Sequence, residues 1–450
     1  MRTALTVLAV CSLLASASGQ WLETSIYVGD GTGGLCFNPQ NNKLYGEVVG
    51  DYPGVVVIDC ASDTVITFVR TRSVMDAPCY NPQNDQVYNP AYDVDSVFVI
   101  DGAADSVIAT VATGVGPTAL CLNPLNNRIY CANYYSRDVT VIDCVTNQAV
   151  ATVPAGQGPT ALCWNSQDNK VYCANWDGNT VTVIDCATNR ADTTVPTGNY
   201  PGDLCYDSLN NRVYCANWGS ATVTVIDGAT NQVITTVATG SKPEALCLNP
   251  DNNKVYCAND SSNTVTVIDG ATSQVITTVA TGLGPCALEY NLEHNKVYCA
   301  DWGGNTVTVI DGASDQVLRT IAVGDRPCAF AGQPERNRMY VANFQYEHIS
   351  VLRDSSLGIA EGRPPVTPRI TSIPTIVRGV LELPGGSDFP VAKSRGSETS
   401  YTFLLDISGR KVMELRPGQN DISKLEAGVY FVRSAVSGER LAVCKVVIQR

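Results

Sequence analysis

The residue types able to do chemistry in this chain are its cysteines, its carboxylates and two histidines. The sequence holds 18 cysteines and 43 acidic residues, but only His294 and His348 as imidazoles. A serine or cysteine nucleophile usually needs a histidine base, and a zinc or copper centre needs convergent His or Cys ligands. His294 falls in a predicted turn, His348 falls near the start of a predicted strand, and no Cys-x-x-Cys pair is present. We therefore predict no catalytic residue, no metal site and no cofactor.

Carboxylates recur with a fixed spacing of 42 residues, each ending a Val-x-Val-Ile-Asp segment. They are Asp59, Asp101, Asp143, Asp185, Asp227, Asp269 and Asp311, and Arg353 stands at the next step. An aspartate followed by residues such as Gly-Ala-Thr-Asn is what a hydrogen-bonded turn requires. A site repeated seven times is a poor candidate for an active centre. We interpret these aspartates as turn residues.

The element that positions each aspartate is a repeating unit of four short β-rich runs. In one unit the runs cover residues 244–248, 254–259, 264–269 and 274–279, separated by Asn, Pro and Gly-rich turns. A repeat of about 42 residues with four strands is typical of a β-propeller blade. We name the strands a, b, c and d, from the propeller axis outward.

The number of blades follows from counting the runs. Strands a, b and c each occur eight times, but strand d follows only the first seven c strands. A matching segment at 24–29 stands alone before the first unit, and it supplies the missing outer strand. The sequence predicts an all-β fold, an eight-bladed propeller closed by this N-terminal strand. A seven-bladed ring with one additional unit is the alternative.

The b and c strands resemble a known repeat family. The chain has Tyr-Cys-Ala-Asn at 130–133, 172–175, 214–217 and 256–259, followed by Val-x-Val-Ile-Asp. These motifs resemble the YVTN family of β-propeller repeats, found in surface-layer and other exported prokaryotic proteins. The first two units depart from the motif. The resemblance implies a propeller over residues 22–355 and specifies little about function.

Composition and the N-terminal segment limit the partners. The formal charge of −13 argues against a nucleic-acid partner, which needs a basic surface. Arg2, an apolar stretch and small residues up to Gly19 are typical of a secretory signal peptide over residues 1–19. No later run approaches the roughly 20 apolar residues of a membrane helix. We expect a secreted or outer-surface protein without a transmembrane segment.

Cysteines recur in pairs ten residues apart in four units. The pairs are Cys121 with Cys131, Cys163 with Cys173, Cys205 with Cys215, and Cys247 with Cys257. Around a turn centred near Asn126 and its equivalents, we expect the two residues of each pair to face each other across strands a and b. Directly opposed residues have Cα atoms about 4.5 to 5.5 Å apart, within reach of a disulfide. The alternative is that these cysteines are buried thiols that act as small hydrophobic residues.

Aromatic residues recur at the position after strand b, on the face shared by the b–c and d–a loops. This position holds Tyr134, Trp176, Trp218, Trp302 and Phe344, with Asp260 as the exception. Exposed aromatics beside Asn and Asp suit stacking on sugar rings or binding of a peptide. The alternative is that each aromatic only seals the boundary with the neighbouring blade. We take these six residues as the candidate ligand-binding site.

The composition changes after the last repeat. Residues 356–369 include a proline-rich stretch and are predicted to form a linker, and 370–450 contain turn-separated strands typical of a small β-sandwich. The strings Leu-Asp-Ile-Ser-Gly-Arg-Lys-Val and Leu-Glu-Ala-Gly-Val-Tyr-Phe-Val resemble the C-terminal sorting domain of type IX secretion substrates. This resemblance implies the type IX machinery as a partner. An ordinary immunoglobulin-like module is the alternative.

The function predicted from these features is that of a binding or structural module without enzymatic activity. The expected partner is a glycan, a peptide or a surface-layer protein outside the cell. Related propellers include lactonases and quinoprotein dehydrogenases, so the competing prediction is a propeller enzyme that uses carboxylates.

Overall fold

The computed structural model describes residues 20–50, 53–71 and 77–354, together with strands between 376 and 448. The chain divides into two compact units, Met1–Ala360 and Glu361–Arg450. The signal peptide predicted at 1–19 and the linker predicted at 356–369 lie outside the described residues.

The first unit is a ring of four-stranded antiparallel sheets. Blade one has β2 (Gly31–Asn38), β3 (Lys43–Val49), β4 (Gly54–Asp59) and β5 (Thr64–Arg70). Blade two has β6 (Cys79–Asn81), β7 (Gln86–Ala91), β8 (Ser96–Asp101) and β9 (Ser106–Ala112). Blade three has β10 (Pro117–Asn123), β11 (Arg128–Asn133), β12 (Asp138–Asp143) and β13 (Gln148–Pro154). Blade four has β14 (Pro159–Asn165), β15 (Lys170–Asn175), β16 (Thr180–Asp185) and β17 (Arg190–Pro196).

The second half of the ring repeats this order. Blade five has β18 (Pro201–Asp207), β19 (Arg212–Asn217), β20 (Thr222–Asp227) and β21 (Val233–Ala238). Blade six has β22 (Pro243–Asn249), β23 (Lys254–Asn259), β24 (Thr264–Asp269) and β25 (Val275–Ala280). Blade seven has β26 (Pro285–Asn291), β27 (Lys296–Asp301), β28 (Thr306–Asp311) and β29 (Val317–Ala322). Three single-turn 3₁₀ helices lie in loops, at Tyr92–Val94, Asp260–Ser262 and Pro334–Arg336.

Blade eight closes the ring with strands from both ends of the propeller. Its a, b and c strands are β30 (Pro327–Gln333), β31 (Arg338–Asn343) and β32 (His348–Arg353). Its outer strand is β1 (Trp21–Tyr27), which pairs antiparallel with β32. The prediction of eight blades and an N-terminal closing strand is confirmed, and the seven-bladed alternative is wrong.

The repeated segments form strands because their β-branched residues suit an extended backbone that is packed on both faces of the blade. In β16 the side chains from Val181 to Ile184 are buried, and β-branched residues favour this extended, packed position. The largest fully buried side chains are the b-strand tyrosines, one in each blade: Tyr45, Tyr88, Tyr130, Tyr172, Tyr214, Tyr256, Tyr298 and Tyr340. Each blade packs its apolar face on the next blade, as Tyr172 and Val183 pack near Leu204 and Val213. The core is therefore a series of layers between adjacent blades.

Amide hydrogen bonds join the blades at the end that carries the a–b turns. The Nδ2 of Asn123 donates to Oδ1 of Asn169 in the next blade (2.8 Å), and Asn165 donates likewise to Asn211 (2.9 Å). The accepting residues have φ of 52°, a left-handed conformation that asparagine adopts more readily than most residues. The Asn-rich turns therefore set the backbone and also bind the neighbouring blade.

The second unit contains strands in two sheets. The strands are β33 (Ile376–Val377), β34 (Val380–Leu383), β35 (Tyr401–Asp406), β36 (Lys411–Leu415), β37 (Gly418–Asp421), β38 (Gly428–Val436) and β39 (Glu439–Ile448). One sheet has the order β33-β39-β38-β35-β36, and β34 pairs with β37. Its role in sorting stays a prediction.

Candidate functional site

One face of the propeller carries the aromatic residues selected from the sequence. We call Tyr134, Trp176, Trp218, Trp302 and Phe344, with Asp260 at the same step, the aromatic rim. The backbone N–H of each rim residue donates to a carbonyl in the preceding d–a loop, as Trp176 does to Gly158 (2.7 Å) and Trp218 to Tyr200 (2.9 Å). The rim residues therefore have one common position, fixed by the contact between two loops.

The residue before each rim position fixes the turn from inside. Asn175 is fully buried, its Nδ2 donates to Oγ1 of Thr180 (3.1 Å) and Thr182 (3.0 Å), and its Oδ1 accepts from Gly156 N (3.0 Å). An amide side chain that bonds to the neighbouring strand c and to the d–a loop holds the following residue in place. Trp176 thus begins the loop from a rigid base.

The rim residues contact one another across blade boundaries and remain partly exposed. The ring centroids of Trp176 and Trp218 are 5.6 Å apart, and those of Trp302 and Phe344 are 5.2 Å apart. The hydroxyl of Tyr134 donates to Oδ2 of Asp177 in the next blade (2.8 Å). These distances and tilts are in the favourable range for aromatic pairs. The rim both packs between blades and presents ring surface to solvent.

Sequence reasoning missed further aromatics that extend the rim. Tyr200 lies 5.4 Å from the ring of Trp176, and the hydroxyl of Tyr92 donates to that of Tyr135 (2.9 Å). Tyr346 stacks on His348 at 4.8 Å. The sequence could have indicated these tyrosines, because each lies in a b–c or d–a loop of the repeat and those loops share the rim face.

The opposite face of the propeller differs from the rim face in the residue types of its loops. Its a–b and c–d turns, all of which the structure describes, contain no Phe, Trp or Tyr, and amide hydrogen bonds join the blades there. The aromatic residues that seal the blades toward this face are the buried b-strand tyrosines, such as Tyr172, whose hydroxyl donates to Gly228 O (3.2 Å) in the c–d turn of the next blade.

The aspartates that recur every 42 residues have the turn role predicted for them. Oδ1 of Asp185 accepts from the backbone N–H of Thr188 (2.7 Å) and from its hydroxyl (2.8 Å). The N–H of Thr188 is the main cause that lowers the pKa of Asp185. Asp143, Asp227 and Asp269 accept similar bonds at their turns. These carboxylates stabilise the c–d turns, and the prediction of a turn role is confirmed.

The cysteine pairs do not face each other, which corrects the geometry expected from the sequence. Cys121 lies opposite Tyr130, and Cys131 lies opposite Leu120. The same one-residue offset separates Cys163 from Cys173, Cys205 from Cys215, and Cys247 from Cys257. The turn has four residues and is centred between Leu125 and Asn126, so residues ten apart point to opposite faces of the blade. All eight are free thiols and are packing residues in this structure. Burial is the main cause that raises the pKa of seven of them: Cys121, Cys163, Cys173, Cys205, Cys215, Cys247 and Cys257.

A concave site lies on the rim face, where blade eight meets blade one. Its volume is about 520 Å³, and Asp30, Val49, Phe344, Tyr346 and Glu347 are among the residues that line it. It continues the rim from Phe344. Among the described residues no cluster of three or more His, Cys, Asp or Glu is arranged to hold a metal ion. Within the same residues, no helix has the length and apolar character needed to cross a membrane.

The fold and the rim define a β-propeller protein built from eight repeated blades. Residues 203–300 match the family model of the YNCE-like beta-propeller, which is less than half of the chain. Among solved structures, a chain of Kuenenia stuttgartiensis hydrazine synthase is similar, with a TM-score of 0.53 and 17% identity over 63% of this chain and 96% of that one. At that identity the likeness shows the fold alone. No curated protein matches the sequence significantly.

Proposed function

We propose that this chain is an exported propeller of the cell surface or the secreted fraction that binds a glycan or protein partner through the aromatic rim. The observation that carries the proposal is the asymmetry of the two faces. Among the described loops, nine aromatic residues lie on the rim face: Tyr92, Tyr134, Tyr135, Trp176, Tyr200, Trp218, Trp302, Phe344 and Tyr346. The aromatic residues that reach the opposite face are the buried b-strand tyrosines, which leave no ring surface for a ligand, whereas the rim rings are partly exposed.

Export rests on the sequence of the two ends of the chain. The segment up to Gly19 resembles a signal peptide, and residues 370–450 resemble the sorting domain of type IX secretion substrates. On this proposal the C-terminal unit directs the protein across the outer membrane, and the propeller works outside the cell, as surface-layer propellers of the YVTN type do.

Removing single rings should separate binding from packing. We expect Trp176→Ala, Trp218→Ala and Trp302→Ala each to weaken binding of a glycan or peptide found by array screening by about tenfold, because a stacked aromatic contributes about 1 to 1.5 kcal/mol. The measurement is titration of each purified variant by fluorescence or calorimetry.

Leu209→Ala is the matched control, because Leu209 is 53% exposed on the opposite face. It should leave affinity unchanged. Unchanged affinity in all three tryptophan variants, together with lower melting temperatures, would show that the rim serves packing alone.

The sorting proposal has its own test. A green fluorescent protein fused to residues 370–450, behind a signal peptide, should reach the cell surface or the medium of a host with type IX secretion. The same fusion without residues 370–450 is the control. Retention of the full fusion in the periplasm would reject the sorting role.

The competing function is a propeller enzyme, such as a lactonase-like hydrolase or a quinoprotein-dehydrogenase-like oxidoreductase. The histidines do not favour it. His294 lies in an a–b turn beside Asp354, whereas His348 lies at the rim face between Tyr27 and Tyr346. No observation on the described residues favours the enzyme over the binding module.

A further inference from the structure

Two cationic side chains occupy backbone positions that favour glycine. The last residue of the d–a loop has a left-handed backbone, and at this step Gly116, Gly158 and Gly284 have φ of 66° to 70°. Lys242 and Arg326 take the same step with φ of 55° and 56°. Because glycine holds this step in three other blades, the turn itself does not require these side chains.

Both cations lie against rim tryptophans. Nζ of Lys242 is 4.6 Å from the ring centroid of Trp218, and Cζ of Arg326 is 5.4 Å from that of Trp302. A cation over the face of a tryptophan is attracted by the ring quadrupole. Lys242 keeps 43% of its side chain exposed, and its ion pair with Asp260 is long, at 4.0 Å. Lys242 is thus held loosely, and both cations lie at ring faces that accept positive charge.

The charge around the rim favours a positive partner. The described rim loops contain seven acidic and three basic residues: Asp30, Asp93, Asp95, Asp177, Asp260, Asp325 and Glu347 against Arg137, Lys242 and Arg326. Two of the three basic residues already lie on tryptophans. In the rim loops of blades five to eight the balance is three acidic residues, Asp260, Asp325 and Glu347, against Lys242 and Arg326, so the net charge there is also negative. An anionic ligand would meet net negative charge, whereas a cationic ligand would be attracted.

We propose that the rim of blades five to eight binds a lysine- or arginine-rich segment of a protein partner, whose cations displace Lys242 and Arg326 from Trp218 and Trp302. The proposal rests on the binding function proposed above and names its partner class. The chain's own cations occupy the sites that the partner's cations take. Removing them should therefore strengthen binding, whereas an anionic glycan would need them as contacts.

The test uses Lys242→Gly and Arg326→Gly, since glycine suits the left-handed backbone at both steps. The probe is a labelled peptide of alternating arginine and glycine, with citrulline and glutamate versions as controls. We expect each variant to bind the arginine peptide about three to ten times more tightly than the unaltered protein, and Trp218→Ala to bind it more weakly. Affinity should fall as salt rises.

Arg190→Gln is the matched control, because it removes one positive charge from an exposed outer strand away from the rim. Arg190→Gln measures how much affinity for the arginine peptide rises from the change in net charge alone. This rise should be smaller than that of the two glycine variants. Three results would overturn the inference. The glycine variants could bind the arginine peptide more weakly than the unaltered protein does, the citrulline peptide could bind as tightly as the arginine peptide, or the arginine peptide could fail to bind. Binding of a neutral or anionic glycan that is lost in Trp218→Ala would overturn it too, while leaving the proposed binding function intact.

Discussion

Asp354→Ala is expected to lower the free energy of unfolding by about 3 to 5 kcal/mol, the cost of removing one partner of a buried ion pair. Asp354 and Lys296 are 1% and 4% exposed, and their Oδ1 and Nζ atoms are 2.5 Å apart. Gln20 Nε2 donates to the same carboxylate (3.0 Å), as does Asn291 Nδ2 (2.9 Å). Replacement by alanine leaves a buried ammonium without this carboxylate.

The importance of Asp354 comes from how the ring closes. In several other blades the first basic residue of strand b contacts the c–d turn of the next blade, as Lys254 contacts Asp315 (2.7 Å). In blade eight the outer strand is β1, from the N-terminal end, so strands c and d of this blade are not joined by a turn. Asp354 directly follows β32 and supplies the missing carboxylate, and its bond to Gln20 joins the two ends of the propeller. It therefore acts on packing and on closure together.

The same group makes stability depend on pH. Burial alone would raise the pKa of Asp354, but its contacts with His294, Lys296 and Gln20 outweigh burial and lower the pKa to about 2. A carboxyl whose folded pKa is below its unfolded value of 3.8 stabilises the fold above pH 4 and loses that contribution as the pH falls toward 2. We expect about 2 kcal/mol of acid-sensitive stability from this group.

Urea unfolding of Asp354→Ala and Asp315→Gly measures these effects. Asp315→Gly is the control, because it removes a similar carboxylate at a boundary where the chain is continuous, and glycine suits the left-handed backbone of Asp315 (φ 59°). We expect Asp354→Ala to cost more and to speed hydrogen exchange in β1. The double variant Lys296→Met/Asp354→Leu should recover part of the loss. An equal loss in the free energy of unfolding of the two single variants would show that ring closure adds nothing to the contribution of Asp354.

The repeat made the fold predictable, whereas departures from it decided much of the site. Eight copies of strands a to c and the unpaired segment at 24–29 were sufficient for the blade count, since every blade needs the same four strands. The rim was also visible, because one step in the repeat is aromatic in five blades. Tyr200, Lys242 and Arg326 were missed because they hold the last step of the d–a loop, where other blades have glycine. The repeat pattern indicates a turn at this step and does not indicate which neighbours a larger side chain contacts.

Register was the limit of sequence reasoning. Placing the a–b turn centre at Asn126 rather than between Leu125 and Asn126 shifted the expected pairing of strands a and b by one residue, which put the two cysteines of each pair on the same face instead of opposite faces. Asp354 was overlooked because Arg353 fills the expected position, and the closure that gives Asp354 its role depends on pairing residues more than 300 positions apart.

Glu289→Cys is expected to stabilise the propeller at neutral and alkaline pH. Glu289 occupies the a-strand step that holds cysteine in the six preceding blades: Cys36, Cys79, Cys121, Cys163, Cys205 and Cys247. Glu289 keeps some accessible surface, but it lies on the innermost strand, where protein surrounds it. Burial raises the pKa of Glu289 to about 7. The ionised carboxylate is therefore disfavoured in the folded state.

The direction of the pH effect follows from that pKa. Glu289 is neutral in the folded and unfolded states below its unfolded pKa of 4.5, so it then carries no charge penalty. As the pH rises from 4.5 through 7 the unfolded state loses its proton first, and the folded state becomes progressively less stable relative to it. Allowing for partial solvent access, we expect Glu289→Cys to add about 2 kcal/mol at pH 8 and little at pH 4.

Denaturant unfolding of Glu289→Cys, Glu289→Ala and the unaltered protein at pH 4, 6 and 8 measures this dependence. Alanine is the matched control, because Ala331 holds the same step in blade eight and is also uncharged. If desolvation of the carboxylate is the cause, the stability advantage of both variants over the unaltered protein grows as the pH rises. The cysteine variant should exceed the alanine variant by a packing difference that is the same at each pH. A gain for cysteine that is equal at pH 4 and pH 8 would show that better packing alone, without the charge, explains the effect.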